Sequence, residues 1–335
     1  MQATREAGDE VWRAWHDEAE PIRVAVSACL LGAEVRFDGG HKRDRYLTDV
    51  LDANVIWVPV CPEIEAGMGI PRPVVQLRGG EEGDRLVVRG SGEDWTTRME
   101  DWARPRVGEL LGLGLDGFVL KKDSPSCGAH RVRVYDEHVK DGVRRTGVGL
   151  FARAVRDAAP DLPLEEEGRL HDPVLRERFI EAVFCSNRWR VYERRGPSRR
   201  GLVAFHEAHK FLLLAHDEGL YRELGRWVGR FGQVDDREVH ARYRALFFEA
   251  LRRPATVSRH VNVLEHLFGY LKRVVTPIQK REIAAAIEDY RAMRVPLVVP
   301  ITLLRFLVHT HEVDYVRGQL YLEPHPRELM LRNHV

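Results

Sequence analysis

The chain contains 335 residues, of which 44% are hydrophobic and 31% are charged, and its formal net charge is +1. A chain of this length exceeds what one hydrophobic core normally serves, so we expect two domains. No apolar run approaches the roughly 20 residues that cross a bilayer, which excludes a membrane-spanning protein. Residues 1–20 are polar, mixed in charge and without the apolar centre of a secretory signal, so we expect a cytoplasmic location.

The first part of the chain has the pattern of an α/β domain. Apolar runs rich in β-branched residues alternate with stretches of helical periodicity, the strands falling at 22–26, 55–60 and 117–121 and the helices at 46–52, 94–113 and 149–158. Such strands are typical of a parallel sheet that is buried on both faces. We therefore predict a Rossmann-like domain with a parallel sheet, together with two shorter strands at 86–89 and 131–135.

The second part of the chain has a different periodicity and predicts an all-α domain. Long segments with apolar residues every 3.6 positions cover 173–193, 202–229, 236–252, 256–273 and 277–293. Asp172 and Pro173 suit the N-cap and first position of a helix. The proline-rich and acidic stretch before them indicates a connector, so we place the domains at 1–165 and 166–335.

The two parts also differ in charge. Residues 1–170 contain 24 Lys and Arg against 31 Asp and Glu, whereas residues 171–335 contain 28 against 20. A basic half joined to an acidic half indicates a nucleic-acid partner for the basic half, and a solvated helical surface is the alternative.

Three cysteines follow the three main predicted strands. Cys29, Cys61 and Cys127 each come just after a carboxyl end, and in an open parallel sheet these ends share one crevice. Three thiolates form a soft donor set that suits an iron–sulfur cluster or zinc. A buried cysteine can also serve as a small hydrophobic residue, and we assign that role to Cys185, which lies in an apolar helical segment.

The same loops contain residues suited to hydrolytic chemistry. An acid or base and a hydroxyl near the reacting atom are needed, and Glu63, Ser124 and Ser126 can supply them. Glu63 could instead serve only as a carboxylate at a helix start. Ser27, Asp38 and Lys122 lie at the same predicted rim. A glycine pattern at 147–152 imitates a dinucleotide fingerprint but does not follow the first strand, so we expect no nicotinamide cofactor.

Several segments carry a family resemblance. In order across residues 22–158, the segments VSACLLG, RFDGG, PVCPE, GMGIPRP, KKDSPSCG and TGVGLFA resemble the thiouracil desulfidase (TudS, YbbK-like) family. The helical part resembles the YbgA-type domain fused to it, through FHEAHKFLLLAH, NVLEHLFGYLKR, PLVVPITLLR and YLEPHPRELMLRNHV. Proteins with both domains resemble tRNA 4-thiouridine desulfidases, which convert 4-thiouridine to uridine, whereas stand-alone members resemble salvage enzymes for free thiouracil.

The resemblance implies a [4Fe-4S] cluster on Cys29, Cys61 and Cys127, with the substrate sulfur taken by the iron that has no protein ligand. It also implies a non-redox hydrolysis that releases hydrogen sulfide, and Glu63 and Ser124 match positions assigned to catalysis. Val35 stands where many stand-alone members have a further cysteine. Two alternatives remain, a desulfidase of free thiopyrimidines whose helical domain serves assembly, and a thiolate-metal RNA-binding or sensor protein without turnover.

The helical part offers candidate RNA contacts. An arginine-rich segment flanks Trp189 and Tyr192, and this combination suits phosphate contact and base stacking. A solvated helix end is the alternative. His206, His209 and His216 with Lys210 predict an RNA-facing or interdomain cluster, or satisfied helix packing, in preference to a metal site. The predicted tRNA contacts are Arg188, Arg190, Arg194, Arg195, Arg199, Arg200, His209 and Lys210.

Overall fold

The computed structural model describes residues 11–80, 83–136 and 142–334. The described chain divides into two compact units. The α/β unit comprises Pro21–Asn187, and the helical unit joins the residues before Pro21 to those from Arg188 onward. None of the described helices is both long enough and apolar enough to cross a bilayer.

The α/β unit contains two sheets and three α-helices among its described residues. The strands are β1 (Arg23–Ser27), β2 (Ile56–Val60), β3 (Val75–Arg78), β4 (Arg85–Val88), β5 (Gly117–Leu120), β6 (Val132–Tyr135), β7 (Val143–Gly147) and β8 (Leu164–Glu166). The helices are α1 (Pro62–Glu65), α2 (Thr96–Gly112) and α3 (Leu150–Ala158). Residues 46–52, predicted as a helix, form the π-helical turn Tyr46–Leu51 and begin a 3-10 turn.

The first sheet is entirely parallel and has the order β2-β1-β5-β8. The strands β1, β2 and β5 are the three that the sequence predicts. The predicted α/β class is confirmed. The second sheet has the order β4-β3-β6-β7 and is mixed, since only β3 and β6 are parallel. The short strands expected at 86–89 and 131–135 correspond to β4 and β6, whereas β3 and β7 were not predicted.

The acidic stretch interpreted as a connector supplies the edge strand β8, which pairs with β5. Three consecutive glutamates there are buried, and two of them accept backbone N–H groups from distant loops. Glu166 accepts from Ala129 and His130 at 2.7 and 2.9 Å, and Glu167 accepts from Lys122 at 2.7 Å. An acidic run is stable as a strand here because its carboxylates are hydrogen-bonded.

The helical unit confirms the predicted all-α class. Its α-helices, of which the first begins in the α/β unit, are α4 (Pro173–Arg194), α5 (Arg199–His216), α6 (Glu218–Val228), α7 (Asp236–Arg252), α8 (Val257–Leu271), α9 (Pro277–Arg291), α10 (Val298–Thr310) and α11 (Asp314–Arg317). The prediction of a single helix over 202–229 is wrong, because the segment forms two helices, α5 and α6. Asp217 between them is extended, and its side chain caps α6 by accepting the N–H of Leu220.

Candidate functional site

The carboxyl ends of β1, β2 and β5 open onto one pocket of about 330 Å³. Cys29, Cys61 and Cys127 all line it, so the structure brings together three thiols that are far apart in sequence. Cys29 and Cys127 are buried and Cys61 is partly exposed. This is the ligand-binding position of open parallel sheets.

Short turns after β1 and β2 position the first two cysteines. Cys29 lies in a 3-10 turn that ends at Gly32, whose φ of 100° is readily adopted only by glycine. The carbonyl of Cys29 accepts the N–H of Lys42 at 2.9 Å. Cys61 precedes α1, and its N–H donates to Oε1 of Glu65 at 3.0 Å.

The third cysteine lies in a loop held by Ser124 and by the start of α3. Oγ of Ser124 accepts the N–H groups of Ser126 and Cys127 at 3.2 and 3.0 Å. The carbonyl of Ser126 accepts the N–H of Phe151, in the first turn of α3, at 3.0 Å. A Cβ on Gly149 would lie 2.4 Å from this carbonyl oxygen, so the contact requires glycine. The helix start therefore fixes the backbone that carries Cys127.

Burial keeps the three thiols protonated in the absence of a positive partner. Burial and, to a smaller extent, the neighbouring Cys61 together raise the pKa of Cys29 to about 11. Burial also raises the pKa of Cys61 and brings that of Cys127 well above its ordinary value, although a hydrogen bond with Ser27 opposes the latter shift. A metal centre would supply the charge that three adjacent thiolates need.

The chemistry of the three donors bears on the kind of metal centre that the pocket could hold. Among the residues that the structure describes, no group of three or more His, Cys, Asp or Glu is placed to hold one metal ion. Zinc would require its thiolates about 2.3 Å from one centre. An iron–sulfur cluster receives each thiolate on a separate iron and therefore suits donors that line a wider pocket. Three soft thiolates lining one pocket fit a cluster of this kind.

A carboxylate with fixed orientation lies beside the thiols. Oε1 of Glu63 accepts the hydroxyl of Ser126 at 3.0 Å, and Oε2 accepts Nε of Arg72 at 3.0 Å. A second guanidinium nitrogen of Arg72 also donates to Oε2. Two charge-assisted bonds and a hydroxyl bond leave Glu63 little rotational freedom.

Lysines form another part of the wall. The ammonium of Lys121 pairs with Glu167, and its backbone N–H donates to Oγ of Ser27 at 3.0 Å. Lys122 and Lys42 also line the pocket, and neither has an ion-pair partner among the described residues. The pocket therefore retains cationic side chains that can contact an anionic or polar substrate.

The predicted site residues fall into two groups. Glu63, Ser124, Ser27 and Lys122 line the pocket beside the three cysteines. Ser126 is fully buried behind Glu63, and Asp38 is half-exposed outside the lining, where its Oδ1 accepts the N–H of Gly40 at 3.1 Å.

Four charged or aromatic residues of the pocket lining were not predicted as site residues, namely Arg36, Phe37, Lys42 and Arg72. Arg72 lies within the GMGIPRP segment, and an arginine confined between two prolines was the available signal.

Three of the residues predicted to contact RNA are buried in the interior of the helical unit. Arg188 is buried and donates to the carbonyl of Pro324. His209 is fully buried, with its ring centroid 4.0 Å from that of Phe205. Lys210 is buried with its Nζ 3.6 Å from the centroid of Tyr315. These positions do not reach a nucleic acid, so we do not retain Arg188, His209 and Lys210 as RNA contacts.

The remaining arginines are mostly paired with carboxylates. Glu20 binds Arg190 at 2.6 Å and also pairs with Arg194. Arg195 pairs with Asp17 at 2.6 Å, and Arg199 pairs with Asp236 at 2.8 Å. Arg200 is exposed and has no such partner among the described residues. Trp189 and Tyr192, expected to stack on bases, are buried with the aromatic core of the helical unit.

The fold and the pocket define a two-part protein in which a Rossmann-like unit carries a three-thiol site. Two family models divide the chain in the same way: the model of 2-thiouracil desulfurase matches residues 24–167, and that of a protein of unknown function (DUF1722) matches residues 210–326. The chain therefore joins a desulfidase domain of the 2-thiouracil desulfurase family to a YbgA-like domain.

Individual relatives each match one half of the chain. Uncharacterized protein YbgA of Escherichia coli (strain K12) is 29% identical over 154 residues, which are 45% of this chain and 90% of that protein. Uncharacterized protein YbbK of Bacillus subtilis (strain 168) is 29% identical over 149 residues, 43% of this chain and 96% of that protein. A solved structure of the [4Fe-4S]-dependent thiouracil desulfidase TudS is 30% identical, with a TM-score of 0.36, over 45% of this chain and 94% of that one.

Proposed function

We propose that this protein removes sulfur from 4-thiouridine in tRNA and releases uridine and hydrogen sulfide. The observation that carries the proposal is the convergence of three thiols and Glu63 on one pocket, in a domain of a desulfurating family. The overall change replaces the C=S of the pyrimidine by C=O, with one water consumed and one hydrogen sulfide released, and needs no oxidant or reductant.

The three thiols would hold a [4Fe-4S] cluster. Cys29, Cys61 and Cys127 line one pocket and provide the soft thiolate donors that such a cluster prefers. With three protein ligands, the cluster supplies a Lewis-acidic iron that is open to a soft thiocarbonyl sulfur. The remaining chemistry belongs to side chains of this chain.

Glu63 is the proton acceptor in the proposed mechanism. Its carboxylate lines the pocket, and Arg72 and Ser126 hold its two oxygens in a fixed direction. A carboxylate held in this way can take a proton from the water that attacks the pyrimidine carbon. Glu63 can then return this proton to the sulfur, and the remaining hydroxyl proton of the adduct follows as the C=O forms, so that the sulfur leaves as hydrogen sulfide.

Ser124 has a hydroxyl proton available for the substrate. Its oxygen already accepts two backbone N–H groups, of Ser126 and Cys127, so its remaining capacity is to donate. We assign this donation to the pyrimidine or to the attacking water. Ser27 and Lys122 complete the polar wall that orients the base, whereas Ser126 acts through Glu63.

The helical unit would hold the RNA. It contains most of the basic half of the chain, and Arg194, Arg195, Arg199 and Arg200 are exposed on it. An ion pair on the surface contributes only about 0–1 kcal/mol to stability. The paired guanidiniums of Arg194, Arg195 and Arg199 can therefore exchange their carboxylates for phosphates.

Free thiopyrimidines are the second candidate substrates. A pocket of about 330 Å³ is sufficient for a single pyrimidine base. In that case the helical unit would serve assembly or stability and would not contact the substrate.

The test is anaerobic purification followed by turnover on bulk bacterial tRNA that contains 4-thiouridine. We expect about four iron and four sulfide per chain, loss of the near-ultraviolet absorbance of 4-thiouridine, and release of sulfide. The Cys127→Ala protein should show none of these. A full cluster that acts only on free thiouracil would favour the second candidate. A zinc-containing protein without turnover would overturn both.

A further inference from the structure

We propose that the main RNA-binding surface of the helical unit is the corner between α6 and α7. This corner contains exposed arginines on the end of α6, on the turn after it and on the starts of α5 and α7, together with two aromatic rings. The inference rests on the proposed function, because it specifies where the RNA that carries 4-thiouridine is held. The residues of the corner are Arg200, Arg226, Trp227, Arg230, Phe231 and Arg237.

Contacts around Phe231 bring these segments together. The guanidinium of Arg199 lies 5.8 Å from the centroid of Phe231 and pairs with Asp236 at the start of α7. Arg200 follows Arg199 in the sequence, and Arg237 follows Asp236. Arg226 lies in the last turn of α6, and Arg230 lies in the turn that follows it, with its N–H donating to the carbonyl of Trp227 at 3.0 Å. Helices α5, α6 and α7 also pack against one another, so the corner is built from three adjoining helices.

Charge distinguishes the corner from the segment at the end of α4. Arg190, Arg194 and Arg195 are bound to Glu20 and Asp17, so their positive charge is largely compensated. In contrast, the four corner arginines, all exposed, have no ion-pair partner among the described residues: Arg200, Arg226, Arg230 and Arg237.

Acidic residues at the corner do not cancel this charge. Asp236 is occupied by Arg199, and Asp235 accepts the backbone N–H of Arg237 at 2.7 Å as the cap of α7. Glu238 lies in the first turn of α7, and Glu223 on α6 is 3.8 Å from Arg242. The corner keeps a positive excess and would attract phosphates.

The aromatic rings favour RNA over an acidic protein. The guanidinium of Arg230 lies 4.5 Å from the centroid of Trp227, and both Trp227 and Phe231 are partly exposed. Rings paired with guanidinium groups form a platform on which unpaired bases stack, each stacked base contributing roughly 1–3 kcal/mol. Arginines at the carboxyl end of α6 would also stabilise the helix dipole, but that role does not require the rings.

The test compares two double variants of the full-length holoenzyme. Arg226→Gln with Arg230→Gln removes two unpaired charges from the corner. Arg222→Gln with Arg242→Gln removes two charges from the same helices, but these arginines pair with Glu218 and Glu223. The probe is a tRNA transcript without 4-thiouridine, and its binding is followed by fluorescence anisotropy over a series of salt concentrations.

We expect the corner variant to lower the slope of log K against log salt by about 2, because each phosphate contact contributes about 0.9. The control variant should retain the wild-type slope. A third variant, Trp227→Leu, should weaken binding severalfold at an unchanged slope, since it removes stacking and not charge. Circular dichroism melting verifies that each variant is folded.

Equal slopes for the two double variants would overturn the proposal. The outcome is independent of catalysis, because the transcript contains no thiolated base. If the wild-type protein binds the transcript through the corner but does not desulfurate thiolated tRNA, the proposed function fails and this surface stands. If thiolated tRNA is desulfurated and the corner variant binds normally, the surface is wrong and the function stands.

Discussion

Arg72 and Glu63 form a buried ion pair at the wall of the three-thiol pocket, with Nε of Arg72 3.0 Å from Oε2 of Glu63. Nη1 of the same guanidinium donates to the carbonyls of Val35 and Gly69, both at 3.0 Å. The carbonyl of Val35 is in turn 3.8 Å from Sγ of Cys61. Arg72 therefore connects the proposed proton acceptor to the loops on either side of it and orients the carboxylate.

Replacing Arg72 should change turnover more than substrate binding. We expect Arg72→Met to lower kcat on tRNA that contains 4-thiouridine about 100-fold and to raise KM less than threefold, because a misplaced catalytic group loses about this factor. Arg72→Lys keeps the charge but not the two-pronged geometry and should recover part of kcat. Steady-state kinetics under anaerobic conditions give both constants.

The control is Arg78→Met, which removes an exposed arginine from β3 of the same unit. It should leave kcat and KM at their wild-type values. If Arg72→Met loses iron as well as activity, the arginine is needed for the fold of the site. If Arg72→Met retains full kcat, Glu63 does not need this partner.

Gly149 is expected to be the least replaceable glycine near the site. An added Cβ would lie 2.4 Å from the carbonyl oxygen of Ser126 and 2.9 Å from the backbone nitrogen of Cys127, and neither atom can rotate away. We expect Gly149→Ala to destabilise the protein by about 2–3 kcal/mol and to lower its iron content. Gly108→Ala, in α2 with nothing within 4 Å of its Cβ, should stabilise by about 0.5–1 kcal/mol. Thermal unfolding and iron analysis distinguish the two variants, and equal stability of both would contradict the proposed packing.

The sequence predicts the pocket correctly because its determinants are local. The strands β1, β2 and β5 have strong apolar patterns, and each of the three cysteines follows directly in a turn. The carboxyl ends of parallel strands meet at one edge, so local patterns are sufficient to predict that the thiols converge.

Long-range pairing accounts for what the sequence did not predict. The acidic strand β8 depends on N–H groups of Ala129 and His130, and the orientation of Glu63 depends on Arg72. The arginine-rich segment was predicted from its charge and the aromatic residues within it, yet its carboxylate partners Asp17 and Glu20 lie more than 150 residues earlier. A count of charges does not show which of them are compensated.

The fourth cysteine provides a control for cluster assembly. Cys185 is fully buried in α4, outside the pocket lining, and behaves as a core residue. We expect Cys185→Ala to retain full iron and sulfide after anaerobic reconstitution and to lose about 1 kcal/mol of stability. Cys29→Ala and Cys61→Ala should each abolish the visible iron–sulfur absorbance. Normal absorbance in either pocket variant would show that its thiol is not a ligand.

His206 should make the helical unit sensitive to acid. Its burial lowers the pKa to about 4 from the ordinary value of 6.5, and the nearby ammonium of Lys210 acts in the same direction. Its Nδ1 lies 3.1 Å from the hydroxyl of Tyr243 in the aromatic core. The unfolded chain thus takes up a proton below pH 6.5, whereas the folded chain does so only near pH 4.

Stability from neutral His206 should therefore be present above pH 6.5 and lost as the pH falls toward 4. The whole effect amounts to about 3 kcal/mol at 1.36 kcal/mol per pKa unit. We expect His206→Gln to unfold at a lower temperature than the wild type at pH 7.5, with the difference in unfolding free energy shrinking between pH 6.5 and 4. His41→Gln replaces an exposed histidine and should follow the wild type throughout. Thermal melts at pH 7.5, 6, 5 and 4 make the comparison, and a constant difference between wild type and His206→Gln would show that the residue does not titrate in this range.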